Sequence, residues 1–258
     1  MENIVIGVEG QVSAGKTSAC KELIKLIDNC IFIDGGAIAR AIVLAASKSS
    51  FNFDDKNLSK VDPFELMKKL NVRFEIEDSK TVIYIDDKKI TDDEIETSEN
   101  AMGVSKLVSQ GNSRALFEYA GKIIDYYRKQ YNIVVTARGL VNIYPNMTCH
   151  VYITADINER VKRRYKQYEG KYSEEKIRKM IIDRDKIHEE AGFNAKCENS
   201  IDVDITECKN AKESAEKIYN QLIPYMNYWI GQVTDVGFLI YVVVYQSSPY
   251  KELQSRQH

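Results

Sequence analysis

The feature that most constrains this chain is an octapeptide near its N-terminus, Gly10-Gln11-Val12-Ser13-Ala14-Gly15-Lys16-Thr17, which fits G-x-x-x-x-G-K-[ST]. Ile4 to Glu9 reads as a buried strand, and Gly15 to Ile27 carries apolar residues at helical spacing, so the loop joins a strand to a helix as the pattern requires. The two glycines let the backbone wrap so that successive N–H groups face phosphate oxygens, and the helix N-terminus adds its positive dipole end. Lys16 is then placed to reach β and γ phosphates, and the Thr17 hydroxyl to ligate Mg²⁺. A second strand, Ile31 to Asp34, runs through Gly35-Gly36 into an Ala/Ile/Leu-rich helix ending near Ser47. Two strand–turn–helix units imply a parallel sheet.

Further on the texture changes. Asp62-Pro63 reads as an N-cap with proline at the first helical position, and residues 71–91 alternate like a small antiparallel meander, an insertion outside the parallel core. Helical patterns follow at Glu94 to Gln110 and Ser113 to Tyr131, then strands at Ile133 to Thr136 and Cys149 to Thr154. Asp156 with Glu159 resembles a capping box opening a charged helix to Tyr168; a second charged helix spans Ser173 to Glu190. A strand at Ile201 to Ile205 and a helix from Ala211 to about Tyr225 complete the pattern.

At 258 residues and a net charge of −2, the chain lacks the basic surplus of a nucleic-acid coat, so any phosphate binding is local. Its five cysteines are scattered and odd in number, which suits reduced thiols in a cytoplasm, and the first residues do not read as a secretory signal. The apolar run Val236 to Tyr245 is short of the roughly 20 residues that a membrane span needs and reads as a packed strand.

A GTPase would need a base-reading N-K-x-D, which is missing, and the strand Ile133 to Val135 leads into Thr136-Ala137-Arg138 rather than the acidic pair of a large ATPase. What the chain does carry is arginine at element ends: Arg40, Arg114, Arg138, Arg160, Arg163, Arg164 and Arg184. Bringing two phosphate-bearing anions to about 3–3.5 Å requires cationic forks against the repulsion and the transition-state charge.

In order and spacing these segments resemble the bacterial cytidylate kinases, from about Ile4 to Leu222. Asp34-Gly35-Gly36-Ala37-Ile38-Ala39-Arg40 is similar to that family's D-[ST]-G-A-x-Y-R, and Leu70 to Phe74 begins a stretch like its monophosphate-binding insertion. Met102-Gly103-Val104-Ser105 with Arg114 is similar to its base-contacting segment, Ala155 to Arg164 to the start of its lid, and Asp183-Arg184-Asp185 to the lid's return. Ile205-Thr206 falls where its last strand ends.

The resemblance implies a P-loop α/β fold, a parallel sheet flanked by helices with a small antiparallel insertion and a helical lid. The core would be 1–60, 113–154 and 195–225, the acceptor-binding insertion about 61–112, the lid about 155–192, and 226–258 a tail without counterpart. It implies a nucleoside monophosphate kinase using ATP and Mg²⁺ on CMP or dCMP, as a cytoplasmic monomer without nucleic acid or membrane partners. Residues Gly10 to Thr17 with Ser18 and Arg160 would bind ATP, and Lys16, Arg164 and Arg184 would serve catalysis. Arg40 and Arg138 would hold the acceptor phosphate, Ser105 and Arg114 the base, and Asp185 the ribose, with Asp34 orienting the acceptor or a Mg²⁺-bound water. Five positions depart from the family pattern: Gly35 for Ser or Thr, Ala39 for Tyr, Ala137 and Gly139 where Ala137-Arg138-Gly139 stands for G-R-D, and His188 for Arg. Since Gly139 removes an acid expected to read the base, a kinase for another small acceptor and a non-catalytic nucleotide-binding module stay open beside the main reading.

Overall fold

A computed structural model describes residues 3–49, 62–109, 113–193 and 195–232. Its frame is an eight-stranded sheet in the order β3-β4-β2-β6-β1-β7-β8, with β5 paired to β4. The strands are β1 (Val5–Gly10), β2 (Cys30–Asp34), β3 (Val72–Glu77), β4 (Lys80–Ile85), β5 (Lys88–Lys89), β6 (Asn132–Thr136), β7 (Cys149–Thr154) and β8 (Ser200–Asp204). The run β2-β6-β1-β7-β8 is parallel throughout, as expected for strands joined by helical crossovers.

Parallel strands buried on both faces split their side chains between two cores. Ile31 and Ile33 of β2 and Ile133 and Val135 of β6 face a cluster with helices α2 (Gly35–Lys48), α3 (Pro63–Lys69) and α6 (Ser113–Arg128). Phe32 and Val134 face the other side, with α1 (Lys16–Leu23) and α10 (Ala211–Gln232). A third, small cluster joins Val12 of the octapeptide loop to Val161, Ile177 and Ile181 of α8 (Ile157–Gln167) and α9 (Glu174–Glu190).

Several boundaries differ from the sequence expectation, each for a local reason. The meander is present, with paired positive-φ turns at Asp78-Ser79 and Asp86-Asp87, but it is not separate from the sheet. Lys80 bridges Phe32, the Phe32 N–H reaches the Ser79 carbonyl at 2.8 Å, and the Thr81 hydroxyl reaches the Phe32 carbonyl at 3.0 Å. The single helix expected from Glu94 is two, α4 (Asp92–Ile95) and α5 (Ser98–Ser109), because Thr91 and Glu94 form a full capping box and Thr97 starts a new helix by accepting the Asn100 N–H. Asp156 does cap α8, accepting from Asn158 N at 2.7 Å, but Glu159 turns outward to Arg163 instead of closing the box. Helix α1 ends early in a 3₁₀ turn at Ile24–Leu26, a short α7 (Leu140–Ile143) follows β6, and α10 continues past Tyr225 to Gln232. The Val236 to Tyr245 segment lies outside the described residues, among which no helix is long and apolar enough to cross a membrane.

Candidate active site

The carboxyl ends of β1, β2, β6 and β7 meet at one edge of the sheet, the edge where open α/β sheets take ligands. Gly10 leaves β1 at φ +143°, and a Cβ there would lie 2.1 Å from the Ile153 carbonyl oxygen, so only glycine lets the loop pass β7 this closely. Ser13 stands at φ 61° and Gly15 at φ 98°, the latter capping α1 without any side-chain hydrogen bond. The first N–H groups of α1 therefore open into the loop. Gln11 anchors the turn twice, its N–H to the Ile153 carbonyl and its Oε1 accepting from Ala155 N, each at 3.0 Å.

Lys16 folds over this loop, with Nζ donating to the Gly10 and Gln11 carbonyls at 2.9 and 2.7 Å. Burial, then the nearby Arg138 charge, pulls its pKa down to about 7. The Thr17 hydroxyl, one residue on and half-buried, makes no hydrogen bond to another described residue. The Ser13 hydroxyl is buried without a partner.

Arg160, expected at the donor phosphates, and Arg163, given no such role by the sequence, both brace the loop. Arg160, 6 % exposed, pairs with Asp185 of α9 and donates to the Val12 carbonyl at 3.2 Å. Asp185 also accepts from Val12 N at 2.9 Å, so the carboxylate assigned to the ribose by resemblance is engaged with the loop and Arg160. Arg163 donates to the Ala14 carbonyl at 2.8 Å and, through its other amino group, to the Ile205 and Cys208 carbonyls at 2.9 and 3.2 Å.

The remaining cations converge. Arg138 follows β6 and donates to the Gly10 carbonyl at 3.2 Å; burial and then the Arg184 charge push its pKa down. Arg184 is lowered in turn by burial and by Arg164, with Arg40 also in reach. Arg164 rests its guanidinium on the Tyr168 ring, 4.6 Å from the centroid. Arg40, whose nearest carboxylate is Glu96 at 3.8 Å, keeps a buried Nε without a partner. Asp34 caps α2 by accepting from Ala37 N at 3.0 Å. His188 joins this group: its Nδ1 is buried and unpartnered, and burial, Arg138, Arg184 and Lys16 together push its pKa down to about 4. The sequence shows it only as a replacement for a family arginine in a charged helix; the fold sets it beside Arg138, Arg184 and Lys16. Ser105 and Arg114 belong to α5 and α6, but their side chains lie outside the described residues.

Sequence reasoning missed one element of the site. Glu9, 2 % exposed at the end of β1, accepts from Gly139 N at 2.8 Å and Leu140 N at 3.1 Å, and its Oε2 lies 3.1 Å from Nε2 of the fully buried His150. The signal was a carboxylate closing an otherwise apolar strand, a residue type almost never buried unless paired.

The residues brought together are cations around a phosphate loop, and comparison with known proteins agrees with that chemistry. The chain is 28% identical over 212 residues to a cytidylate kinase of Halalkalibacterium halodurans, covering 80% of this chain and 91% of that one. It is 28% identical over 231 residues to a cytidylate kinase of Alkaliphilus oremlandii, covering 86% of this chain and 99% of that one. A family model described as cytidylate kinase matches residues 6–227, and the chain belongs to the cytidylate kinase family.

Proposed function

We propose that this chain transfers the γ-phosphoryl group of ATP to CMP or dCMP, giving the diphosphate and ADP by in-line displacement. The observation that carries the reading is the gathering of positive charge at the loop: Arg138 depresses Lys16, Arg184 depresses Arg138, and all three depress His188, with Asp185 and Glu9 the carboxylates that offset them. A pocket of that kind is relieved by polyanions, and two phosphate-bearing substrates supply them.

In this reading the loop N–H groups and Lys16 take the β and γ phosphates, Arg40 and Arg138 hold the acceptor phosphate in line, and Arg184 with Arg164 covers the group in transit. Little covalent work falls to the protein, since positioning and charge neutralisation carry most of phosphoryl transfer. Helices α8 and α9, packed on Val12, keep water from competing as acceptor. Hard oxygen donors at Thr17 and Asp34 would suit Mg²⁺ brought with the nucleotide. Bound there, Mg²⁺ would supply neutralisation of phosphate charge. Arg160 and Asp185 serve by holding the loop and the lid together. The free, scattered cysteines suit a reducing cytoplasm.

The test is ADP release from Mg-ATP with CMP, dCMP, UMP, AMP, GMP or dTMP, against a control without acceptor. Stimulation by CMP or dCMP above all others is the expected result. A different winner rewrites the acceptor, which the glycine at 139 makes a pointed question, and ATP binding without acceptor-dependent turnover overturns the kinase reading.

A further inference from the structure

The Glu9 side chain sits between the two halves of the site. Both of its oxygens accept backbone N–H groups from the two residues that follow Arg138, at 2.8 and 3.1 Å. The next residue along the chain, Gly10, offers the carbonyl oxygen that receives Arg138 Nη1 at 3.2 Å and Lys16 Nζ at 2.9 Å. The turn that carries Arg138 and the loop that carries Lys16 are thus referred to one buried carboxylate. Its charge also offsets theirs, for it favours the protonated form of both.

The carboxylate is itself fixed from behind. Because it accepts, His150 presents Nε2–H to it and takes the Ser200 hydroxyl hydrogen on Nδ1, at 3.1 and 2.8 Å. The Ser200 oxygen accepts the Cys197 N–H at 2.9 Å, which extends the chain of bonds from β1 across β7 to the start of β8. A buried carboxylate with two N–H donors and an imidazole partner has little freedom to turn, and the low-dielectric surroundings strengthen each bond. Gly139 stands at φ +69° to close the turn, so the segment holding Arg138 cannot relax without leaving Glu9.

We propose that Glu9 is a positioning residue for phosphoryl transfer, acting through Arg138 to fix the acceptor phosphate relative to the donor loop, with His150 and Ser200 holding Glu9 in place. The inference rests on the kinase reading above and goes beyond it by assigning a role to a residue that touches neither substrate.

A double-mutant cycle tests it. In Glu9→Gln the amide nitrogen faces a donor N–H, and kcat/KM for CMP should fall about 10- to 100-fold, the scale of a misplaced reacting group. Affinity for ATP alone should change less than about 3-fold, since the Gly10 carbonyl and the loop itself remain. Arg138→Ala should lose more, and the double variant should lose no more than Arg138→Ala within about 3-fold, because the carboxylate has nothing left to position. Glu9→Asp, which keeps the charge but is one methylene shorter, serves as the second variant if Glu9→Gln does not fold, and the melting temperature of each is recorded beside its kinetics. Multiplicative losses, or a Glu9→Gln enzyme with normal kcat/KM per folded molecule, would overturn the inference while leaving the kinase reading intact. A wild-type protein without acceptor-dependent turnover would overturn both.

Discussion

A Cβ placed on Gly35 would lie 2.8 Å from the Cβ of Ala137, with the Thr136 carbonyl oxygen at 3.1 Å. Two of the positions that depart from the family pattern therefore touch each other across the site, one smaller and one larger than the resemblance implies. Gly35→Ser should destabilise the protein by about 1–3 kcal/mol through overpacking against the Ala137 methyl, and Ala137→Gly in the same chain should restore most of it. Thermal melts of the two single variants and the double decide the matter: additive losses mean the contact is not shared.

Lys16→Ala should reduce transfer at least about 1,000-fold while the fold stays intact, because in the proposed mechanism its ammonium meets the phosphates. Removing a buried amine relieves its desolvation, so the melting temperature should hold steady or rise. Near-normal turnover in that variant would eliminate the proposed mechanism.

The free-site pKa of Lys16, near 7, has a pH consequence. Phosphates favour the ammonium, so the bound-state pKa is higher. Between the two values the complex holds a proton that the free protein lacks, and ATP affinity falls as pH rises above 7. Calorimetry at pH 8 in buffers of differing ionisation enthalpy should register proton uptake on ATP binding, and Lys16→Met should lose it.

His188 behaves similarly on the acceptor side. It is neutral above pH 4 while Arg138, Arg184 and Lys16 face it with Asp185 as the offsetting charge, and an acceptor dianion reverses that balance. Its pKa should rise on CMP binding, so the affinity ratio of wild type to His188→Asn should widen as pH falls from 7.5 towards 5.5. A ratio independent of pH would exclude the imidazole from the acceptor subsite.

Arg163 and Arg164 are neighbours with different work. Arg163→Ala removes three hydrogen bonds to backbone carbonyls and should cost about 2–4 kcal/mol of stability along with ATP affinity. Arg164, held among the described residues by Gln167 and the Tyr168 ring, should on replacement by alanine lower kcat with little change in melting temperature. Matched melts and kinetics separate the brace from the cation proposed to act in transfer.

How far the sequence disclosed all this depended on the range of the interaction. The octapeptide loop and the Asp62 cap were legible because their geometry is settled within a few residues: Asp62 accepts from the Phe64 and Glu65 N–H groups, as its place before proline implies. The Asp156 cap was half legible, for Glu159 had a competing partner four residues on in Arg163. Attachment of the meander to β2 turns on one bridge between Phe32 and Lys80, which no periodicity announces. Asp185 lies 173 residues from its partner Val12, and Glu9 141 from His150, so their engagements arise only once the sheet has brought the strand ends together. The place of His188 was not legible, because a charged helix does not announce which of its polar positions turns inward.

The anchoring of Val12 and Ala14 by Asp185, Arg160 and Arg163 means that the octapeptide is not a portable module in this protein. A fragment ending after β7 would carry every letter of the motif and yet lack the groups that keep the loop open and oriented. Recombination that exchanged the stretch after β7 with a distant relative would face the same difficulty: the transplanted counterparts of α8 and α9 would have to present a carboxylate and two guanidinium groups to a loop more than a hundred residues upstream. Covariation between these stretches, rather than invariance of the motif alone, is what such an architecture demands of its descendants.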